Sequence, residues 1–519
     1  MGGVANSQDR PLIPLPPGTR GFIAFALALG TFMQVLDTTI ANVSLPTIAG
    51  SLGVSANQGT WIITSFAVAN GISVPLTGWL MQRYGVVRTF VTCVALFTIA
   101  SFLCGIAWSF ESLIAFRVLQ GAVSGPMIPG SQSLLMSIFP ASKRGMALAI
   151  WSMTTLIAPV MGPLLGGYIS DNYPWPWIFL INLPIGILTV VVCWGSLARH
   201  ETATRTVPVD GIGMGLLVVW VGALQIMLDT GKDAGWFESS AIIGLAIVAA
   251  VGFCGFLIWE LTETNPIVDL SFFRSRNFAV GTVVTCVGYG LFFGNIVILP
   301  LWLQTQLGYT ASWAGLVQAP AGVVAMLFSV WVGRNVNRHD ARLFATIAFV
   351  MMFAGLYARS LLNSQAAFGD FVMPMLLQGV SMAFFFVAVV TIQLDGIPPQ
   401  RVPAATSIAN FMRITAGAFS TSIATTAWED RAALHQSRLA EASSIYDPTL
   451  QQATAVLHGA GFSEPQTTGI LTRGLVEQSF MLSSLDYFWI TGWISLGVIA
   501  LIWLTRRPRV ASGIAAGAD

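Results

Sequence analysis

Fourteen apolar runs, most of them about twenty residues long, dominate this 519-residue chain. They cover about 22–46, 60–81, 89–110, 113–137, 146–169, 177–197, 212–229, 241–259, 278–303, 313–333, 343–362, 371–394, 403–427 and 487–505. A helix needs about 20 residues to cross the hydrocarbon of a bilayer, where no water is present to satisfy a free peptide group. Runs of this length predict membrane-spanning helices, whereas barrel strands alternate over about ten residues. Charge agrees: 9% of residues are charged and 55% hydrophobic, against about 25% charged in a soluble domain. That balance excludes a soluble enzyme, a disordered chain and a disulfide scaffold.

An even number of spans puts both ends on one side. Seventeen of the 24 basic residues fall in segments on that side, including Arg20, Arg83, Arg88, Lys143, Arg144, Arg334 and Arg401. Five fall opposite (Lys232, Arg359, Arg431, Arg438 and Arg473), and Arg117 and Arg413 lie inside spans. Positive charge gathers on the cytoplasmic side, so both termini are expected there, in a multi-pass membrane protein. The net charge of +1 gives no sign of a nucleic-acid partner. The five cysteines sit in apolar runs and read as small hydrophobes, and His200, His339, His435 and His458 lie outside the spans. No metal or cofactor is therefore expected. The polar start up to Arg20 leads straight into a long run, unlike a cleavable leader. No phosphate-cradling loop, metalloprotease motif or hydrolase triad is apparent, so no enzyme is expected.

The chain repeats itself loosely. Asn42 to Pro46 recurs at Asn295 to Pro300, Trp61 at Trp313, Gly78 with Arg83 at Gly333 with Arg338, and Gln120 with Gly121 at Gln378 with Gly379. The offsets drift only from 252 to 258 residues, in order along the chain. Two parallel six-helix halves are implied, an arrangement that places a substrate site between them. The expected boundaries are a cytoplasmic tail over 1–21, a half over 22–197, and a linker with two inserted spans over 198–277. A second half covers 278–505 with an outer loop at 428–486, followed by a tail over 506–519.

Asp37 is the sharpest residue. A carboxylate in a span costs about 2.5–3.5 kcal/mol to insert, so it must face a cavity or a partner, and it can carry a proton. Arg117 always stays charged and cannot carry one, but it can tune an acid that it approaches. In span 5, Ala158, Gly162 and Gly166 form a smooth stripe, with Pro159, Pro163 and Gly167 alongside. Small residues at this spacing let helices approach closely, and the prolines invite a bend. Gly78, Arg83, Gly85 and Arg88 in the 2–3 loop could latch helix ends. Gln34, Asn42, Phe292, Asn295, Phe385, Asn410 and Arg413 are candidate substrate contacts; Arg413 could also snorkel to a boundary. A single core carboxylate opposed by Arg117 points to neutral or weakly acidic lipophiles rather than dications.

These motifs resemble the fourteen-span drug:proton antiporters of the major facilitator superfamily, and within it the EmrB-type multidrug exporters. The carriers are Asp37 to Pro46, Arg117 to Gly121, Gly162 to Gly167, Trp177 to Gly186, Leu224 to Asp229 with Lys232, and Asn265 to Leu270. The resemblance implies an all-α major facilitator fold of two six-helix halves plus two inserted helices. It implies an inner-membrane exporter of hydrophobic drugs, with Asp37 and Arg117 coupling protons and the span 5 motif sealing the outward side. It also implies a periplasmic membrane-fusion adaptor and a TolC-like outer-membrane channel, with 428–486 as the docking element. One departure is Gln82, which stands where the general family has an acid in the 2–3 loop. The rival readings are an uptake symporter of the same fold and a membrane receptor or scaffold.

Overall fold

A computed structural model describes residues 15–507 except 55, 141–142, 205–207, 209, 265, 337, 399–400 and 443–446. The tails beyond these limits, and the side chains of Asn42 and Pro163, lie outside the described residues. Every regular element among the described residues is helical. The first group is α1 (Pro17–Ser51), α2 (Ala56–Gly59), α3 (Trp61–Tyr84), α4 (Val86–Gly105), α5 (Phe110–Ser124), α6 (Met127–Ile138), α7 (Arg144–Asn172), α8 (Trp177–Leu180) and α9 (Asn182–Leu197). Then come α10 (Gly211–Thr230) and α11 (Ser240–Thr262). The last group is α12 (Arg276–Thr305), α13 (Ala311–Asn335), α14 (Ala341–Ser360), α15 (Phe368–Gln393), α16 (Val402–Ala442), α17 (Pro448–Gly459) and α18 (Glu464–Trp503).

Local chemistry sets the ends. The Asp210 carboxylate accepts from the Gly213 N–H at 2.9 Å to start α10, and Ser109 accepts from the Ser112 N–H to start α5. Gly85 turns α3 into α4 at φ 92°, a left-handed conformation that favours glycine. Twelve helices among the described residues are long and apolar enough to cross a membrane. The other two runs of the sequence have clear physical explanations. Run 113–137 is divided between α5 and α6 at Gly125 and Pro126, where Gly125 presses on the α3 backbone and gives its N–H to the Ser73 hydroxyl. Run 403–427 opens the 41-residue α16, which is dilute in apolar residues because Thr406, Ser407, Asn410 and Arg413 face other helices. The fourteen-span count is consistent with this arrangement.

In the first group α1 packs on α7 and α9, α3 on α5, and α4 on α5 and α9. In the last group α12 packs on α16 and α18, α13 on α15, and α14 on α15 and α18. The groups meet where α7 lies on α13 and α3 on α16. Both contacts are closest at the arginine-rich end. Gly78 abuts Ala404, Gly333 abuts Gly145 and Ala149, and Ser407 donates to the Val74 carbonyl at 2.8 Å.

The outer segment 428–486 reads in the sequence as helical stretches broken at Asp447-Pro448 and Gly459-Ala-Gly461, and the structure has α17 between those breaks while α16 and α18 continue side by side past their apolar runs. At about 1.5 Å per residue, 40 residues reach about 60 Å, twice the hydrocarbon thickness. Trp428 stitches them, donating to the Ser484 hydroxyl at 2.8 Å, with its ring tilted against Phe480 at a centroid distance of 4.6 Å. Beyond it, Asp486 pairs with Arg431 and His435. Arg359, read as an outer loop charge, is a third buried arginine in the last turn of α14, 1% exposed.

Candidate functional site

The α1 helix shows two faces. Gln34, Val35 and Thr38 look into a cavity, while Asp37 turns toward α5 and α9, its side chain fully enclosed. One Asp37 oxygen takes Arg117 Nη1 at 2.6 Å. The other accepts from Gln120 Nε2 at 3.0 Å and Asn182 Nδ2 at 2.8 Å. Arg117 and Gln120 share a face of α5 because they are three residues apart, and Arg117 also donates to Gln120 Oε1 at 2.7 Å and to the Ile62 carbonyl at 3.0 Å. Its guanidinium sits 4.3 Å from the Phe66 ring centre. The expected pair is therefore brought together, and its oxygens are bonded on every side. Sequence reasoning did not assign Gln120, Asn182 or Phe66 to it. The spacing of Gln120 on Arg117's face was the available signal for one of them.

Arg117 also reaches the wall of the cavity, so it stands between Asp37 and water. The cavity encloses about 510 Å³, within the size range of sites for drug-sized molecules. It lies between the two groups of helices, with Phe66, Asn70, Tyr289, Phe293, Ile414 and Thr421 among its walls. Its lining includes Thr60 at the start of α3 and Lys232 and Asp233 just after α10, at the helix ends opposite the arginine-rich contacts.

The candidate substrate residues separate. Gln34 lines this cavity. Phe292 and Asn295 instead border a small pocket with Arg359 and Gln378. Phe385, Asn410 and Arg413 border another small pocket between the groups, together with Gln132 and Trp151. There Asn410 Nδ2 donates to Gln132 Oε1 at 2.9 Å. Arg413 does not snorkel: it is 4% exposed and lies among Tyr289, Trp151 and Phe386 at 4.9, 5.3 and 5.9 Å. The cavity-facing aromatics of α12 are Tyr289 and Phe293, one helical face away from Phe292.

Asn295, Arg359 and Gln378 lie the same 258 residues beyond Asp37, Ser101 and Gln120. Arg359 donates to Gln378 and faces the Asn295 carbonyl oxygen at 3.5 Å. The second group thus has a buried arginine network of its own, with an amide 258 residues beyond the acid and with its arginine on α14, where Met375 of α15 stands 258 residues beyond Arg117.

The span 5 stripe lies on α1. Gly162 abuts Thr39, and Gly166 abuts the Ile40 backbone, two and three residues after Asp37. Ala158, Pro159 and Gly167 are buried, and α7 stays a single helix through both prolines. This close fit fixes the register of α1.

The 2–3 loop meets an acidic residue. The acid comes from after α9: Glu201 accepts the Val87 N–H at 3.0 Å and the Arg88 N–H at 2.7 Å. Backbone amides at the start of α4, not arginine side chains, make this clasp. Arg83 lies over Trp79 and Tyr84, and Gly78 serves the contact with α16. Glu201→Ala is expected to lower stability by about 1 kcal/mol, as for a lost helix cap, measured as a fall in midpoint of thermal unfolding.

The profile of the Major Facilitator Superfamily matches residues 27–421. The chain belongs to the Major Facilitator Superfamily. It is a transporter family, not an enzyme family, and the chain is a multi-pass membrane protein. The chain is 46% identical over 506 residues to the multidrug export protein EmrB of Escherichia coli K12, covering 97% of this chain and 99% of that one. It is 45% identical over 500 residues to the fatty acid resistance protein FarB of Neisseria gonorrhoeae, covering 96% and 99%. Among solved structures, the human organic anion transporter MFSD10 matches with TM-score 0.60 at 12% identity, over 94% of this chain and 100% of that one. That likeness concerns the fold. The full-length likeness places the chain with the EmrB-type exporters.

On the arginine-rich side of this superfamily fold, Asp269 bonds to Arg401 at the start of α16. Partial burial raises the Asp269 carboxyl, but hydrogen bonds from Ser271 and Arg401 outweigh this and hold it below the usual carboxylate range. A depressed folded value gives stability that is present above the unfolded value of about 3.9 and lost as pH falls through the lower folded one. The difference in thermal midpoint between wild type and Asp269→Asn is therefore expected to stay constant from about pH 6 to 8, to begin shrinking near about pH 4, and to vanish only below the depressed folded value.

Proposed function

We propose that the chain is a proton-driven multidrug exporter of the inner membrane, working by alternating access. The observation that carries this reading is the enclosed Asp37–Arg117 pair beside a cavity closed at one end only. Asp37 is the proton carrier: Arg117 occupies one of its oxygens while in contact, and withdrawal of the guanidinium as helices shift frees that oxygen to take a proton. Arg117, standing between acid and cavity, couples the two. Asn295 carries no proton, so the second half contributes no equivalent site.

The arginine-rich closed end is cytoplasmic, with both termini there, and the cavity opens to the periplasm. The units are the two six-helix halves at 22–197 and 278–505, fourteen spans in all, with α10 and α11 inserted between. One proton falling through about 100 mV supplies about 2.3 kcal/mol, enough for roughly a fiftyfold gradient of a neutral hydrophobic drug.

The extended ends of α16 and α18, capped by α17, form the docking element for a periplasmic membrane-fusion adaptor that leads to a TolC-like channel. Leu434, Val456 and Ile470 are exposed there. Photocrosslinkers at these three positions are expected to capture the adaptor, while one at Phe237 is not; no capture at any of the three would remove this surface.

Inverted vesicles test transport itself. Energised vesicles are expected to accumulate drug and release protons. Drug uptake in the opposite sense would favour the symporter, and no flux in either direction a receptor or scaffold.

A further inference from the structure

Four charged residues line the cavity: Arg117, Asp229, Lys232 and Asp233. Two are neutralised, Arg117 by Asp37 and Lys232 by Glu429, each at 2.6 Å. Asp229 receives Gln225 Nε2 at 3.1 Å and interacts with Thr64 of α3, and neither it nor Asp233 has an ion pair among the described residues. Two negative charges therefore remain in a cleft walled by apolar helices, which concentrates their field. Asp229 also sits in the last turn of α10, where the free carbonyls add potential of the same sign.

A second observation points to an occupant. Gln34 is 4% exposed, faces the cavity, and its Oε1 has no hydrogen-bond partner among the described residues. Such a buried acceptor costs about 1–3 kcal/mol until a donor reaches it. Tyr289 and Phe293 on α12 stack at 4.9 Å and present aromatic surface to the same space.

The inserted helix is what brings the acid here. α10 lies against α3 and α16, and the turn after it is fixed to α16 by Lys232–Glu429 and by Trp236 Nε1 donating to Thr426 at 2.9 Å. The premise of a single carboxylate, which favoured neutral or weakly acidic compounds, does not describe this cavity. Asp37 cannot recognise a cation here, because both of its oxygens are taken and Arg117 stands before it.

We propose that Asp229 is the charge-selecting residue of the substrate site. It receives the cationic group of an aromatic lipophile whose N–H reaches Gln34 and whose ring lies on Tyr289 and Phe293. This rests on the reading of the chain as a drug exporter.

The test uses the full-length protein in lipid nanodiscs with two fluorescent probes, ethidium (a permanent cation bearing aromatic amines) and neutral N-phenyl-1-naphthylamine. Asp229→Asn is expected to weaken ethidium binding at least about tenfold and the neutral probe less than about twofold. Asp229→Glu, which keeps the charge, is expected to retain ethidium binding within about threefold. Unchanged ethidium affinity in Asp229→Asn overturns the proposal, and a shifted pH profile of neutral-probe export alongside it assigns Asp229 to proton loading. Equal weakening of both probes also overturns it, marking Asp229 as part of the wall. Export of the neutral probe without wild-type ethidium binding defeats only this proposal, whereas export of neither probe defeats the exporter reading beneath it.

Discussion

Asp37→Asn is expected to abolish energised drug accumulation in inverted vesicles, by about 100-fold or more, because the residue proposed to carry the proton is gone. It is also expected to lower the thermal midpoint. The amide leaves Arg117, 1% exposed, without its counter-charge, and removing one partner of a buried pair costs about 3–5 kcal/mol. Access of Arg117 to the cavity wall moderates that cost through water. The double variant Asp37→Asn/Arg117→Gln removes both charges, so it is expected to regain most of the lost stability and none of the transport. That separation of stability from activity is the informative result. Accumulation by Asp37→Asn within threefold of wild type would remove Asp37 from the mechanism.

Gly333→Leu attacks the closure instead of the coupling. A Cβ at Gly333 would press on the Gly145 carbonyl and on Ala149 Cβ, backbone and short side chain that cannot swing aside. Overpacking of this kind costs about 1–3 kcal/mol, and it falls only on the state closed at the arginine-rich end. Since 1.4 kcal/mol is tenfold in population, the balance is expected to shift toward the opposite state by about tenfold. Transport should fall to a similar degree. In a background without native cysteines, Asn410→Cys should become reactive toward maleimide applied from the arginine-rich side, because its position beside Gln132 opens. Adding Ala149→Gly should relieve part of both effects. If labelling at 410 does not change while transport is lost, the contact between α7 and α13 is not a gate.

Much of the site was legible from chemistry alone. Asp37 and Arg117 stood out because ionised groups are costly in lipid and few were present. Their pairing was expected from that scarcity and from opposite charge alone, since residues 80 apart give no spacing signal. Arg359 shows the limit of reading charges by position: it lies at the outer end of its run and was counted with the outer charges, yet the last turn of α14 folds it inward onto Gln378. Phe292 and Phe293 show another limit. Both belong to one apolar stretch, and only the rotation of α12 decides which ring reaches the cavity.

The same division holds for the whole chain. The sequence by itself determined the membrane class, the helical fold and the scarce charges, because lipid imposes length, apolarity and backbone satisfaction on each span separately. Only the tertiary structure decided which end is closed, that Glu201 clasps α4 through its amides, and that α16 and α18 continue beyond the bilayer. It also decided that α10 brings Asp229 to the central cavity. Each of these depends on how helices distant in sequence rotate and approach, and no local pattern of residues encodes that.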